Sequence, residues 1–127
     1  MSDTKFTNIS IELEQAGLLW IPTFGDEICK RKEPVEVSVL VNSAGMHPED
    51  LKEIYIWRPT LEQLIYQLEI RQAILKHAGL ELSEKSIGYI SVIETKVGEI
   101  KTKAETLRDA LGLTLRDYLL YSSNGIN

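Results

Sequence analysis

The chain is poor in residues that bind metals or form covalent crosslinks. Its 127 residues include one cysteine, Cys29, and two histidines, His47 and His77. A single cysteine excludes an intramolecular disulfide and a zinc cluster built from cysteines within one chain. Neither histidine belongs to a His-x-x-x-His or Glu-x-x-His pattern, the spacing that aims two ligands at one metal from a helix. We therefore expect no metal site and no cofactor.

Motifs that carry catalytic chemistry are missing as well. The eight glycines stand singly, so there is no Gly-x-Gly-x-x-Gly pattern, no phosphate-binding loop and no Gly-x-Ser-x-Gly. Cys29 lacks a histidine that its sequence context would identify as a catalytic base, and a small buried residue explains it better than a nucleophile. The sequence names no catalytic residue and favours a protein without enzymatic activity.

Positive charge and long apolar runs are also scarce. The formal net charge is −5, and the only basic run, Lys30-Arg31-Lys32, lies between Glu27 and Glu33. Such a surface disfavours nucleic-acid binding. No apolar run approaches the roughly 20 residues that cross a bilayer, and no signal sequence opens the chain. We expect a cytoplasmic protein that binds neither nucleic acid nor membrane.

The most informative feature that is present is a repeated tetrapeptide, Trp-x-Pro-Thr. It occurs as Trp20-Ile21-Pro22-Thr23 and as Trp57-Arg58-Pro59-Thr60, and these are the only tryptophans. Each copy predicts an extended segment that leads into a turn fixed by proline and then into a helix start. A tryptophan held in this way suits a core anchor, which is the commoner case, or a binding hot spot.

Three residues of these two copies are our candidates for contact with a protein partner, namely Trp20, Trp57 and Arg58. Arg58 lies between a tryptophan and a proline, where we expect it to project from the surface. A guanidinium group in that position would bind a carboxylate of the partner.

Composition predicts one ordinary globular domain. Apolar residues make up 43% and charged residues 26% of the chain, which excludes extensive disorder. The length suits a single domain over residues 1–127 with one hydrophobic core. We expect residues 1–7 and 122–127 to form flexible tails.

The first half of the chain predicts one clear strand. The valines of Val35–Val41 share one face of that strand, and its edge could pair across a two-fold axis. The segment around residues 9–13 alternates like a strand, although a short helix that ends at Gly17 fits nearly as well. Leu18–Ile21 is apolar enough to be buried beside Trp20, and Pro48 predicts the first turn of a short helix.

The second half predicts two main helices. Apolar residues recur at helical spacing over about 61–78, after a capping box formed by Thr60 and Gln63 and before a stop at Gly79. A second amphipathic helix spans about 106–121, with Thr106 as its cap and a potential break at Gly112. Residues 84–111 fit either a hairpin that turns near Lys96–Gly98 or one long helix, and we favour the hairpin.

The predicted fold class is therefore α+β, a small domain with a short, mainly antiparallel sheet packed against two main helices. The alternative is a mostly helical protein in which 84–111 forms one long helix. On the hairpin interpretation, residues 57–121 run helix, strand, strand, helix.

Over about half of the chain the sequence resembles small phage-derived domains. The Trp57-x-Pro-Thr60-Leu-x-Gln63-Leu64 entry is similar to the opening of phage-type α-β-α sandwich domains. The tail Ala104-Glu105-Thr106-Leu107-Arg108-Asp109-Ala110-Leu111 looks like the close of those domains and of HicB-like antitoxins. The resemblance implies a phage-like accessory or partner-binding domain without chemistry of its own.

Our leading hypothesis is an accessory or adaptor protein that binds a protein partner or itself, which includes a homodimer. The alternative is a small-molecule-binding protein or enzyme whose pocket combines distant residues, such as His77, Tyr66 and a carboxylate. If residues 84–111 were one helix, coiled-coil scaffolding would be the third possibility.

Overall fold

A computed structural model describes residues 2–82 and 87–125. Over these residues the chain forms a small α+β domain with four helices and two three-stranded antiparallel sheets, which confirms the predicted fold class. The elements in chain order are α1 (Ser2–Gln15), β1 (Glu27–Lys30), β2 (Glu33–Val39), α2 (Pro48–Ile54), β3 (Tyr55–Trp57), α3 (Leu61–Ile70), β4 (Ile74–Leu82), β5 (Ile87–Thr95), β6 (Gly98–Ala104) and α4 (Leu107–Gly125).

Helix α1 begins at Ser2 and occupies the segments for which the sequence suggested a strand at 9–13 and a tail over 1–7. Met1 lies outside the described residues. Phe6, Ile9 and Leu13 follow helical spacing and are buried in the core, so packing favours the helix. Gly17 ends it with a φ of 107°. The N–H of Leu18 bonds to the carbonyl of Leu13 at 3.0 Å, and that of Gly17 to Glu14 at 3.1 Å, which is a Schellman cap. The helix alternative for this segment is confirmed.

The first sheet has the strand order β2-β1-β3. Cys29 lies opposite Val37 and Ile56, and Ile28 lies opposite Ser38 and Trp57. Cross-strand partners share a face, so Cys29 faces α1, where its sulfur is 4.0 Å from Thr7 Oγ1. Ile28 and Trp57 face the opposite side. The predicted strand at 35–41 is confirmed over residues 35–39 by β2, which lies at an edge of this sheet.

Helix α3 is shorter than the sequence predicted. Its capping box is confirmed, since Gln63 N donates to Thr60 Oγ1 at 3.2 Å and Thr60 N to Gln63 Oε1 at 2.9 Å. The helix ends at Ile70, because Gln72 adopts a φ of 63°. The expected helix over 71–78 is wrong. Leu75 and Ala78 fit helical spacing, but they also share one face of the long strand β4, because the bulge between Leu75 and His77 shifts the alternation by one residue.

The second sheet has the order β4-β5-β6. Strands β5 and β6 form the predicted hairpin around Lys96 and Val97, so the single long helix is wrong. Because β4 precedes them, the chain from residue 61 runs helix, strand, strand, strand, helix instead of the expected helix, strand, strand, helix. Each strand of this sheet has a neighbour that satisfies its backbone groups. A helix over the same residues would instead carry the cost of about 1 kcal/mol for each of Gly88 and Gly98.

Helix α4 begins after Thr106, whose Oγ1 accepts from Asp109 N at 3.0 Å, as predicted. It does not end at 121 but continues to Gly125, so residues 122–125 of the expected tail at 122–127 are helical, and residues 126 and 127 lie outside the described residues. Gly112 does not break it. A Cβ at Gly112 would lie 2.8 Å from Ile9 Cγ2, so this glycine lets α1 and α4 approach closely.

Two hydrophobic clusters hold the domain together. The larger joins α1, α3, α4 and the second sheet, and its fully buried members include Leu13, Leu64, Ile93, Leu111 and Leu115. The smaller contains Trp20, Ile28, Leu40 and Leu51 on the face of the first sheet that points away from α1. None of the helices over the described residues has the length and apolar character needed to span a membrane.

Candidate functional site

The two tryptophans, distant in sequence, lie side by side. Their ring centroids are 6.4 Å apart and the ring planes are inclined by 11°, an offset stack. Trp20 is buried, whereas Trp57 is partly exposed. Trp57 reaches this position because it ends β3 on the same face of the sheet as Ile28. The fold therefore brings the two Trp-x-Pro-Thr copies together at one place.

Hydrogen bonds of Asp26 and Gln63 connect the two Trp-x-Pro-Thr segments. Asp26 Oδ2 accepts from Trp20 Nε1 at 2.8 Å and from the backbone N–H of Thr23 at 3.0 Å. Its other oxygen accepts from Gln63 Nε2 at 3.0 Å. Gln63 also caps α3 at Thr60. Trp20 bonds directly to this carboxylate, and the second copy is joined to it through Gln63, so charge-assisted hydrogen bonds link the two copies.

A cleft lies on each side of the stacked rings. The first cleft has a volume of about 180 Å³ and lies between the end of α1, α2 and β3. The second has a volume of about 230 Å³ and opens toward α3. Leu19, Trp20 and Trp57 line both clefts. The two tryptophans therefore contribute to the lining of both clefts.

Exposed apolar side chains surround the second cleft. Leu19 is 77% exposed, Ile21 81% and Tyr66 57%, and all of them line it. The expectation that Leu18–Ile21 is buried is correct for Leu18 and Trp20 and wrong for Leu19 and Ile21, because alternate residues of an extended segment face opposite sides. We call Leu19, Trp20, Ile21, Trp57 and Tyr66 the tryptophan site.

The first cleft carries positive charge at its margin. Arg31 lines it and pairs with Glu14 at 2.7 Å. The Arg31 guanidinium also donates from Nε and Nη2 to the carbonyl of Lys52, at 3.1 and 2.8 Å. Lys52 is a second cation on the same margin, 3.5 Å from Glu49. These bonds fix the Arg31 side chain beside the rings, where its charge is paired with Glu14, which lines the same cleft.

Arg58 does not project from the site, which corrects the expectation for this residue. Its side chain is 1% exposed. Strand alternation turns it to the face opposite Trp57, beneath α1. There its Nη1 donates to Thr7 Oγ1 at 2.5 Å and its Nε to Glu27 Oε1 at 3.2 Å. A partner cannot reach this guanidinium without opening the domain.

The arginine belongs to an internal charge cluster. Glu27 also pairs with Arg108 at 3.1 Å, and both guanidinium groups lie over the Phe6 ring, at 5.4 Å for Arg58 and 4.1 Å for Arg108. Burial alone would raise the pKa of Glu27, but the hydrogen bond and charge of Arg108, together with Arg58, outweigh it and hold that pKa below its usual value. The cluster joins the first sheet, α1 and α4.

The remaining sequence candidates do not assemble into a reactive centre. Burial raises the pKa of the Cys29 thiol, which keeps it neutral and unreactive. Tyr66 lines the second cleft, while His77 lies on β4 outside both clefts, so the suggested His77–Tyr66 pocket is not formed. Within residues 2–82 and 87–125, no group of three or more metal-ligating side chains converges.

Sequence reasoning missed Asp26, Leu19, Ile21 and Tyr66. Asp26 could have been identified from the sequence, since an aspartate three residues after Thr23 can accept a hydrogen bond from the backbone N–H of Thr23 at the start of a turn. The exposure of Leu19, Ile21 and Tyr66 carries none, because isolated apolar residues are normally assigned to the core.

Comparison with protein-family models, with curated proteins and with solved structures finds no match for this chain.

Proposed function

We propose that the protein is a small interaction protein, an accessory or adaptor that binds a protein partner through the tryptophan site without catalysing a reaction. The observation that carries this proposal is the cluster of exposed apolar side chains around the stacked rings. Leu19, Ile21 and Tyr66 are each more than half exposed, and contiguous exposed apolar groups mark interaction surfaces. Tryptophan and tyrosine are also the residues that most often dominate binding energy.

Rigidity of the site supports the same function. Asp26 holds the Trp20 ring, on which the Trp57 ring stacks, so binding would cost little ordering of the Trp20 side chain.

Cleft size favours a protein side chain over a metabolite. Pockets for small ligands usually have volumes of about 300–1,000 Å³, whereas the two clefts measure about 180 and 230 Å³. Hollows of this size suit single apolar or aromatic side chains of a partner.

The experiment is affinity recovery of the tagged protein from its own cells, followed by mass spectrometry, for the wild type and two variants. Ile21→Glu places a charge on the exposed rim of the site. Val97→Glu makes a matched change in the β5–β6 turn, where Val97 is 58% exposed. We expect a stoichiometric partner with the wild type and Val97→Glu, and its loss with Ile21→Glu.

Two outcomes would contradict the proposal. In one, Ile21→Glu recovers the partner as well as the wild type does, which would place the interface elsewhere. In the other, the wild type is recovered alone at mild salt and good expression. Circular dichroism and thermal unfolding of both variants control for loss of the fold.

A further inference from the structure

Strand β2 leaves a backbone edge open. In the order β2-β1-β3, its only neighbour among the described residues is β1. Leu40, the residue that follows the strand, donates its N–H to Asp26 at 2.9 Å and accepts from Gly25 at 2.8 Å. Both of its backbone groups therefore point toward β1. Because successive residues direct these groups to opposite sides, those of Val39 and Val41 point away, toward the free edge.

The side chains along this edge are apolar and exposed. Val37, Val39 and Val41 are 37%, 52% and 73% exposed. Val37 lies opposite Cys29 and Val39 opposite Glu27, so this stripe is on the α1 face of the sheet. The exposure of these three valines indicates that α1 leaves the stripe largely uncovered. An open edge with an exposed valine stripe is the arrangement that proteins normally protect.

We propose that a second copy of this chain pairs with β2, antiparallel, about a two-fold axis at Val39. This interface is separate from the tryptophan site and does not depend on the function proposed above. A two-fold contact is self-complementary, so each residue faces the one equally distant from the axis. Val39 then faces its own copy, and Val37 faces Val41 of the partner subunit.

The sequence suits that register. Every odd position from 37 to 41 is valine, so apolar side chains meet across the pair, and such cross-strand contacts stabilise a sheet. Ser38 would face Leu40 of the partner subunit, and Glu36 would face Asn42 of the partner subunit. No two like charges oppose each other. The pairing would extend the sheet continuously across both subunits, with the valine stripe between the two α1 helices.

The other long edges are less suitable. Strand β6 carries Lys101 and Lys103, and antiparallel self-pairing about Thr102 or Lys101 would set lysine against lysine, which is destabilising. Strand β4 pairs regularly from His77 to Leu82, but Gly79 within that stretch contributes no side chain to a cross-strand contact. The irregularity of β2 falls between Glu33 and Val37, so its pairing with β1 is regular from Val37 to Val39.

Charge variants at position 39 test the proposal. Sedimentation velocity over about 1–100 μM should show a dimer for the wild type and for Val97→Glu. Val39→Glu and Val39→Lys, each of which sets like charges against each other, should raise the dimer dissociation constant at least about 100-fold. An equimolar mixture of the two should restore dimers, because Glu then faces Lys only if residue 39 lies on the axis.

Three results would overturn this inference. One is a wild-type protein that stays monomeric at 100 μM, and another is a dimer unaffected by either Val39 variant. The third is a failure of the mixed variants to associate. Val39 is half exposed, and thermal unfolding checks that both variants fold. Loss of the dimer leaves the tryptophan site intact, so partner recovery through Ile21 remains a separate test.

Discussion

Replacing Glu27 with glutamine should destabilise the domain in a way that depends on pH. The carboxylate accepts from Arg58 at 3.2 Å and from Arg108 at 3.1 Å, and its side chain is 23% exposed. Glutamine keeps one acceptor oxygen, removes the counter-charge of both arginines and points an N–H₂ group at a guanidinium donor. Hydrogen bonds to charged groups contribute about 1.5–3 kcal/mol, so we expect a loss of about 2 kcal/mol at pH 7.

The pH dependence follows from the lowered pKa of Glu27. A carboxyl whose pKa is lower in the folded state stabilises the fold above its unfolded value of 4.5, and this contribution is lost as the pH falls through the folded value. The difference between wild type and Glu27→Gln should therefore be full at pH 7 and shrink below pH 4.5. The assay is urea unfolding at a series of pH values.

An exposed glutamate supplies the control for that series. Glu53 lies on the surface of α2, and Glu53→Gln should change stability by less than about 0.5 kcal/mol at every pH. A Glu27→Gln difference that stays constant from pH 7 to pH 3 would refute the electrostatic reasoning. So would a loss below about 0.5 kcal/mol at pH 7, since it would mean that the two arginines do not need this carboxylate.

Three further predictions test other parts of the structure. Asp26→Ala removes the acceptor of Trp20 Nε1 and should cost about 2–3 kcal/mol, with a change in tryptophan fluorescence; an unchanged melt and spectrum would contradict the bridge. Gly112→Ala should destabilise by about 1–3 kcal/mol through its clash with Ile9, despite a gain of about 1 kcal/mol in helix propensity; a higher melting temperature would contradict the close packing. Cys29 should react with a thiol reagent at neutral pH only after unfolding, because burial raises its pKa; rapid labelling of the native protein would contradict its burial.

The parts of the fold that local chemistry determines could be predicted from the sequence. The capping box at Thr60, the hairpin around Lys96 and the strand containing Val37 each depend on residues close together in the chain. Their signals are side-chain hydrogen bonds, turn composition and strict alternation. Because tertiary packing reinforced these preferences, each prediction was confirmed.

The incorrect predictions concern segments whose sequence fits two kinds of secondary structure, so that tertiary packing decides between them. Leu75 and Ala78 fit a helical pattern, and in β4 they share a face only because of the bulge between Leu75 and His77, which appears in the pairing with β5. Ile9 and Leu13 fit a strand until α4 provides a helical face to bury them. A single sequence does not contain the position of the neighbouring element, so periodicity alone could not decide either case.

The candidate site was predicted in part. Its repeated Trp-x-Pro-Thr motif identified both tryptophans, and the structure brings these rings together. The exposure expected for Arg58 was wrong. Alternation along β3 turns neighbouring side chains to opposite faces, so Arg58 points away from the face that carries Trp57. The exposure of Leu19 and Ile21 depends on the path of a segment without regular structure, which composition does not fix.

The most direct test of the tryptophan site is photo-crosslinking in the cells that make the protein. A benzophenone amino acid placed at Ile21, on the exposed rim of the second cleft, should give one discrete crosslinked product with a partner protein. The same group placed at Val97 should give none. A product of equal yield from both positions, or no product from position 21, would contradict the claim that this site binds a protein partner.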